Sequence, residues 1–239
     1  MIAFIDYRTS NEEINSLKNL NIDVNDCFIS DEYSTSIPCN NNLYPAINGH
    51  VDIQLNILNS DTKTIILNKD IDNNFKKILQ EKEINFINSF NSLNKNYPEN
   101  ISLNAYITQN YLIHNLNFTD KEIINYCKTK KQIHIKQGYS KCSILPLREK
   151  VVITSDMGIY KTLIKENFDV LLIPFGDIEL PGLNYGFIGG VGGMISSNSM
   201  AFFGSLEKYA FCDEVKKFLY KYDIKPIYLR ATGRTDKSL

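Results

Sequence analysis

The feature that most constrains this chain is a plan used repeatedly along it: an apolar strand, a polar turn, a helix of about three turns, then a second apolar strand. Four segments follow the plan closely: "AFIDYRTSNEEINSLKNLNIDV", "TIILNKDIDNNFKKILQEKEINFI", "VVITSDMGIYKTLIKENFDVLLI" and "AFFGSLEKYAFCDEVKKFLYKYDIKPIYL". A fifth, "NYLIHNLNFTDKEIINYCKTKKQIHI", follows it more loosely. Caps and apolar spacing agree in these helices. Thr9 or Ser10 precedes Ile14, Leu17 and Leu20; Thr119 or Asp120 precedes Ile123, Ile124 and Cys127. Ser155 or Asp156 precedes Ile159, Leu163 and Ile164, which are expected to face inward.

A further strand-like run precedes four of the units: "HVDIQLNIL", "NISLNAYI", "CSILPL" and "YGFIGGVGGMIS". The unit is therefore strand, strand, helix, strand, used five times. Equal copies of an αβ unit close most easily into a ring, with helices outside and leading strands around the axis. The expectation is a single-domain α/β protein over residues 1–239, a pseudo-five-fold propeller of ββαβ repeats. The first unit lacks a leading strand, which the C-terminal "IYLRATGRTDKSL" would supply. The alternative is an ordinary α/β sheet with repeated βα patterning.

A chain of 239 residues, 43% hydrophobic, can bury a large core. With 26 Lys and Arg against 27 Asp and Glu, a net charge of −1 gives no bulk electrostatic reason to expect nucleic acid or an acidic membrane as partner. No apolar run approaches the length that spans a bilayer. "MIAFIDYRTS" reaches Asp6 after few apolar residues and carries no basic leader, so a signal peptide is not expected. The five cysteines, Cys27, Cys39, Cys127, Cys142 and Cys212, are odd in number and lack CxxC spacing. That argues against a disulfide framework or a Cys-rich metal site and for a reduced, cytoplasmic setting.

Chemistry is expected where the leading strands begin, because a ring brings their heads together at the axis. Those heads are "NGHVD", "ENISLNA", "QGYSKCSILPL" and "GFIGGVGGM", which place Asn48, Asn104 and Gly190 among the candidate ligand contacts. His50 and Cys142 each follow a glycine-containing turn at such a head. A thiol facing an imidazole is nucleophilic near neutral pH, because the ion pair stabilises the thiolate. On a strand, Asp52 would share a face with His50 and could orient the ring or bind a cation. His114 and His134 lie in alternating strands, where structural roles are expected. "GFIGGVGG" is followed by "MISSNSMAFFGSL", which reads as a hairpin, so a dinucleotide-binding fingerprint is rejected. Its glycines either let backbone approach a ligand or fit a crowded axis. "IPFGDIELPGLNYG" is a long loop with Asp177 and Glu179, either a lid over a cation or a solvated connection.

The five-fold plan, "GHVD" and the cysteine of "SKCSILPL" resemble the pentein, or guanidino-group-modifying enzyme, superfamily. "NGHVD", "KQGYSKCSILPL" and "PFGDIELPGLNYGFIGGVGG" resemble most closely an uncharacterised clostridial branch of it, over essentially the whole chain. The resemblance implies Cys142 as nucleophile, His50 as general acid/base and Asp52 as its carboxylate neighbour. It implies a small guanidino or amidine substrate and neither metal nor organic cofactor. Asp6 and Asp156, at equivalent turns of two repeats, are the remaining candidates to bind a guanidinium. Arg8 would anchor a substrate carboxylate or pair with Asp6. Two departures stand out. "IGGVGG" lacks the acidic residues that the enzymes carry on the matching strand, and the motifs run in a circularly permuted order. Hydrolase, amidinotransferase and non-catalytic binding protein all remain open at this point, and oligomeric state is not legible.

Overall fold

The computed structural model describes residues 3–20 and 37–231. The N-terminal helix α1 (Asn11–Asn19) starts at Ser10, whose hydroxyl and the Glu13 carboxylate form a reciprocal capping box. Next come the helical turn α2 (Val51–Gln54), β1 (Leu55–Asn59), β2 (Thr64–Leu67), α3 (Asn73–Glu81) and β3 (Asn85–Asn88). The following unit holds β4 (Tyr106–Ile107), β5 (Tyr111–His114), α4 (Lys121–Tyr126) and β6 (Lys131–His134). A second helical turn, α5 (Ser140–Ser143), leads into β7 (Ile144–Arg148), β8 (Val151–Thr154), α6 (Met157–Lys165) and β9 (Asp169–Leu172). A 3-10 turn, Ile188–Val191, opens the last unit, with β10 (Gly192–Ser196), β11 (Ser199–Phe202), α7 (Cys212–Lys221) and β12 (Lys225–Tyr228).

Among the described residues, each of the four units after α1 makes one three-stranded sheet, and these four sheets share one topology. The leading strand pairs antiparallel with the central one, and the helix crosses over to a third strand parallel to it. Asp72, Asp120 and Asp156 cap α3, α4 and α6, each accepting backbone N–H groups of the first turn. β10 and β11 form the expected hairpin, and the glycine-rich segment opens no helix able to bind a dinucleotide phosphate.

The central strands explain how the sheets stack. Side chains alternate between faces along a strand, and here both faces are buried. Ile65 and Leu67 of β2 pack with Phe4, Ile37 and α3, whereas Ile66 packs with Leu103 and Leu112 of the next unit. Leu112 of β5 joins that second cluster, and Ile113 joins Val152 and Ile159. Val152 of β8 faces back, while Val151 and Ile153 face forward onto Met200 and Phe202 of β11. Ala201 of β11 then packs with Ile5, Ile14 and Leu17. Each sheet thus lends one face to the unit before it and one to the unit after it, and the last sheet meets the N-terminal helix. Polar contacts follow the same path: Arg230 Nε lies 3.3 Å from Glu13, and the Ala231 N–H donates to Glu12.

Three expectations need correction. Ile227 and Tyr228 belong to β12, the trailing strand of the last unit, so "IYL" does not lead the first one; residues 232–239 lie outside the described residues. Of "NISLNAYI", only Tyr106–Ile107 is strand, because Ile101–Ala105 closes turns on itself through Asn104 N–H to Ile101 O and Ala105 N–H to Leu103 O. Ile164 is 42% exposed, being on the outer side of α6, whereas Ile159 and Leu163 are buried as expected. In the N-terminal unit, Asp6 makes an isolated parallel bridge with Ile37. Cys27 and the expected strand "NIDV" lie outside the described residues.

The packing makes a direct prediction. Leu17 is fully buried between α1 and the last sheet, so Leu17→Ala should cost about 2–5 kcal/mol in urea unfolding. Ile164→Ala should stay within about 0.5 kcal/mol. A near-neutral Leu17→Ala would mean that α1 contributes nothing to the cooperative core.

Candidate active site

His50 and Asp52 do not stand side by side on a strand. The β1–β2 ladder begins only at Leu55, opposite Leu67, with one further bond from Asn68 N–H to Gln54 O, and His50 to Ile53 lie ahead of it. They close on themselves instead: His50 takes the N-cap position, Ile53 N–H donates to His50 O, and Leu55 N–H to Val51 O. Residues two apart on a helical turn diverge. The same arrangement precedes β7, where α5 carries Cys142. Aligning the two units on Leu55 and Ile144, the first ladder residues, puts Asp52 level with Lys141. His50 lies five residues before its ladder and Cys142 two, so the expected matching register of those two does not hold.

The structure brings Cys142, Asp52, Asn104 and Lys141 together from three units. Asn104 is the hub. Its side-chain amide donates to the Asp52 carbonyl at 2.8 Å and to Cys142 Sγ at 3.0 Å. Its side-chain oxygen accepts the N–H groups of Lys141 and Cys142 at 3.0 and 3.2 Å. Asn104 is in turn fixed by buried Asn56, which donates to the carbonyls of Leu103 and Ala105 on either side of it. The Asp52 carboxylate offers one oxygen to the Cys142 thiol at 3.8 Å and the other to an ion pair with Lys141. Cys142, Asp52 and Asn104 are at most 2% exposed. Lys141 was not singled out in the sequence; its signals were adjacency to Cys142 and register with Asp52. Tyr139, at the N-cap of α5, has its phenol pushed up to about 12, by burial first and then by the neighbouring Cys142.

A second cluster adjoins this one through the His50 turn. Asp6 is fully buried and receives the Arg8 guanidinium on both oxygens, so Arg8 pairs with it. Arg8 also donates to Ala46 O, and Tyr7 donates to Asn48 Oδ1. A side chain at Gly49 would meet Tyr7 at 2.6 Å and Asp6 at 2.7 Å, so glycine lets the turn carrying buried His50 approach Asp6. Gly190 is buried in the 3-10 turn, beside Gly189, where a Cβ would lie 2.4 Å from Lys141 O and 2.6 Å from Cys142 O. Gly189 thus lets the 3-10 turn approach the cysteine turn closely.

The remaining candidates sit apart from the thiol contacts. Asp156 caps α6 and accepts from Gln137, whose own side-chain oxygen holds the Tyr139 N–H. Asp177 is exposed in its loop at φ 60° and accepts from Ala210 N–H. Among the described residues, no group of three or more His, Cys, Asp and Glu is placed to hold a metal ion, and no helix is long and apolar enough to cross a membrane.

His114 supports the site from behind. One ring nitrogen lies 2.8 Å from the carbonyl of Gly138, just ahead of the cysteine turn, and the other 2.8 Å from Thr119. Burial pushes its pKa down to about 4. The folded state therefore resists protonation that the unfolded chain accepts near pH 6.5. The stability this contributes is full above pH 6.5 and is lost as pH falls towards 4, on the order of 3 kcal/mol. Thermal melts of wild type should show this loss between pH 6.5 and 4, and His114→Gln should flatten the slope; an unchanged slope would refute the assignment.

Among the solved structures similar to this chain are two amidinotransferases and an agmatine deiminase. An amidinotransferase from Microseira wollei in the saxitoxin biosynthetic pathway is 10% identical, with a TM-score of 0.44 over 73% of this chain and 63% of its own. An inosamine-phosphate amidinotransferase from Streptomyces griseus is 14% identical, with a TM-score of 0.43 over 72% and 60%. Agmatine deiminase from C. jejuni is 16% identical, with a TM-score of 0.37 over 65% and 55%. The chain thus spans 55 to 63% of the length of these structures. No curated protein sequence matches it. The family that does match covers residues 4–237, in keeping with the resemblance to an uncharacterised branch, and the chain belongs to it: the family of unknown function DUF6873.

Proposed function

We propose that this chain is a cysteine-dependent enzyme acting on a small guanidino or amidine compound, on a five-unit ββαβ ring. The observation that carries the reading is the contact set of Cys142. A buried thiol, 3.0 Å from an amide donor and 3.8 Å from a buried carboxylate, pairs a nucleophile with a seat for a cation. The Asn104 N–H is placed to donate to the sulfur as it attacks. A planar amidinium resting on Asp52 would present its carbon to that sulfur. The cyclic order of the core clusters, with the last sheet on the N-terminal helix, supports the ring.

In the proposed reaction the Cys142 thiolate adds to the amidinium carbon, forming an S–C bond. A C–N bond then breaks, and the departing nitrogen takes a proton from His50 and leaves as ammonia or an amine. Water adds to the S-linked carbon and returns a proton to His50. The S–C bond breaks, and the thiolate is restored. The net change is addition of water across a C–N bond; an amine in place of water makes the same intermediate an amidino transfer.

The rival reading is a non-catalytic binding protein on the same scaffold. It draws on the 2% exposure of Cys142 and on the absence of carboxylates from "IGGVGG". A guanidino panel assayed for ammonia and urea separates the two. On the enzyme reading, turnover is abolished by Cys142→Ala and falls about 10²–10⁴-fold in His50→Ala. Cys142 should also alkylate below the ordinary thiol pKa of about 8.5, faster with an amidinium reagent than with iodoacetamide. A thiol indifferent to reagent charge and to His50, with no turnover, leaves the binding protein standing.

A further inference from the structure

Lys141 differs from its three partners. The Asp52, Asn104 and Cys142 groups are sealed, whereas the Lys141 side chain keeps 23% exposure while its ammonium pairs with Asp52. Its backbone is held firmly, the N–H donating to both the carbonyl and the side-chain oxygen of Asn104. The turn can therefore stay in place while the four-carbon arm swings out to water. A buried carboxylate left without a counter-charge is strongly unfavourable, and Lys141 supplies that charge to Asp52. The Lys141 ammonium is bound to one oxygen of the carboxylate whose other oxygen faces Cys142 Sγ.

We propose that Lys141 is a tethered stand-in for the cationic group of the substrate: a guanidinium or amidinium binds by taking Asp52 from it, and its departure uncovers Cys142. This rests on the cation-seat reading of Asp52 and adds that the seat is occupied in the resting protein. Lys141 is thereby a specificity-determining residue. Only a cation that pairs with the carboxylate better than an ammonium enters, and a planar, bidentate amidinium does so where a simple amine does not.

Cation-dependent thermal stability tests the inference without any assay of activity. Wild type, Lys141→Ala, the milder Lys141→Gln and Lys141→Ala with Asp52→Asn are melted in 10 mM acetamidinium chloride and in 10 mM sodium chloride. If Lys141→Ala does not fold, Lys141→Gln, which keeps the arm's bulk, carries the comparison. Acetamidinium should raise the midpoint of the single variant by about 2–4 °C over sodium, restoring part of what the substitution lost. Wild type should respond far less and the double variant not at all. An equal rise in wild type would overturn the inference, since the seat would then be open, but would leave the proposed function intact. No rise in any variant would remove the cation seat, and both readings with it.

Discussion

Two-sided burial of the central strands is the constraint on which everything else depends. A three-stranded sheet with one crossover helix covers only one of its own faces, yet β2, β5, β8 and β11 are apolar on both. Each unit is therefore incomplete until another packs against its open face. Stacking the sheets this way sets the heads of the leading strands beside one another. Asn104, Asp52 and Cys142 come from three units and meet only for that reason.

The meeting point carries charge in a sealed interior, which sets its chemistry. The buried Asp52 carboxylate is paired there with the Lys141 ammonium. The thiol receives a donor from Asn104 and faces the carboxylate. On the proposed reading, electrostatic demand at Asp52 and access to Cys142 are coupled through one flexible side chain.

Much of the fold was legible in the sequence. The four capped helices, the central strands and the β10–β11 hairpin follow from period and capping residues. The candidate site was partly legible: Cys142, Asp52 and Asn104 sit where strand heads were expected to converge. The local backbone was not. "HVDIQ" alternates like a strand but forms a turn of helix, since the ladder with β2 begins only at Leu55 and its bonds run back within the turn. "SKCS" likewise forms a turn of helix. Arg8 offered two roles in the sequence, and in the structure its guanidinium forks onto Asp6.

By itself, then, the sequence determined the repeated unit, its strand and helix faces and the set of polar residues at the strand heads. These depend on local period and capping, which neighbouring residues dictate. Tertiary structure decided which of those residues touch. Asn104 bridging to Cys142, Lys141 on Asp52 and Gly189 against the cysteine turn depend on register between ladders distant in sequence. Register is set by how the sheets pack face to face, and no single stretch of chain records it.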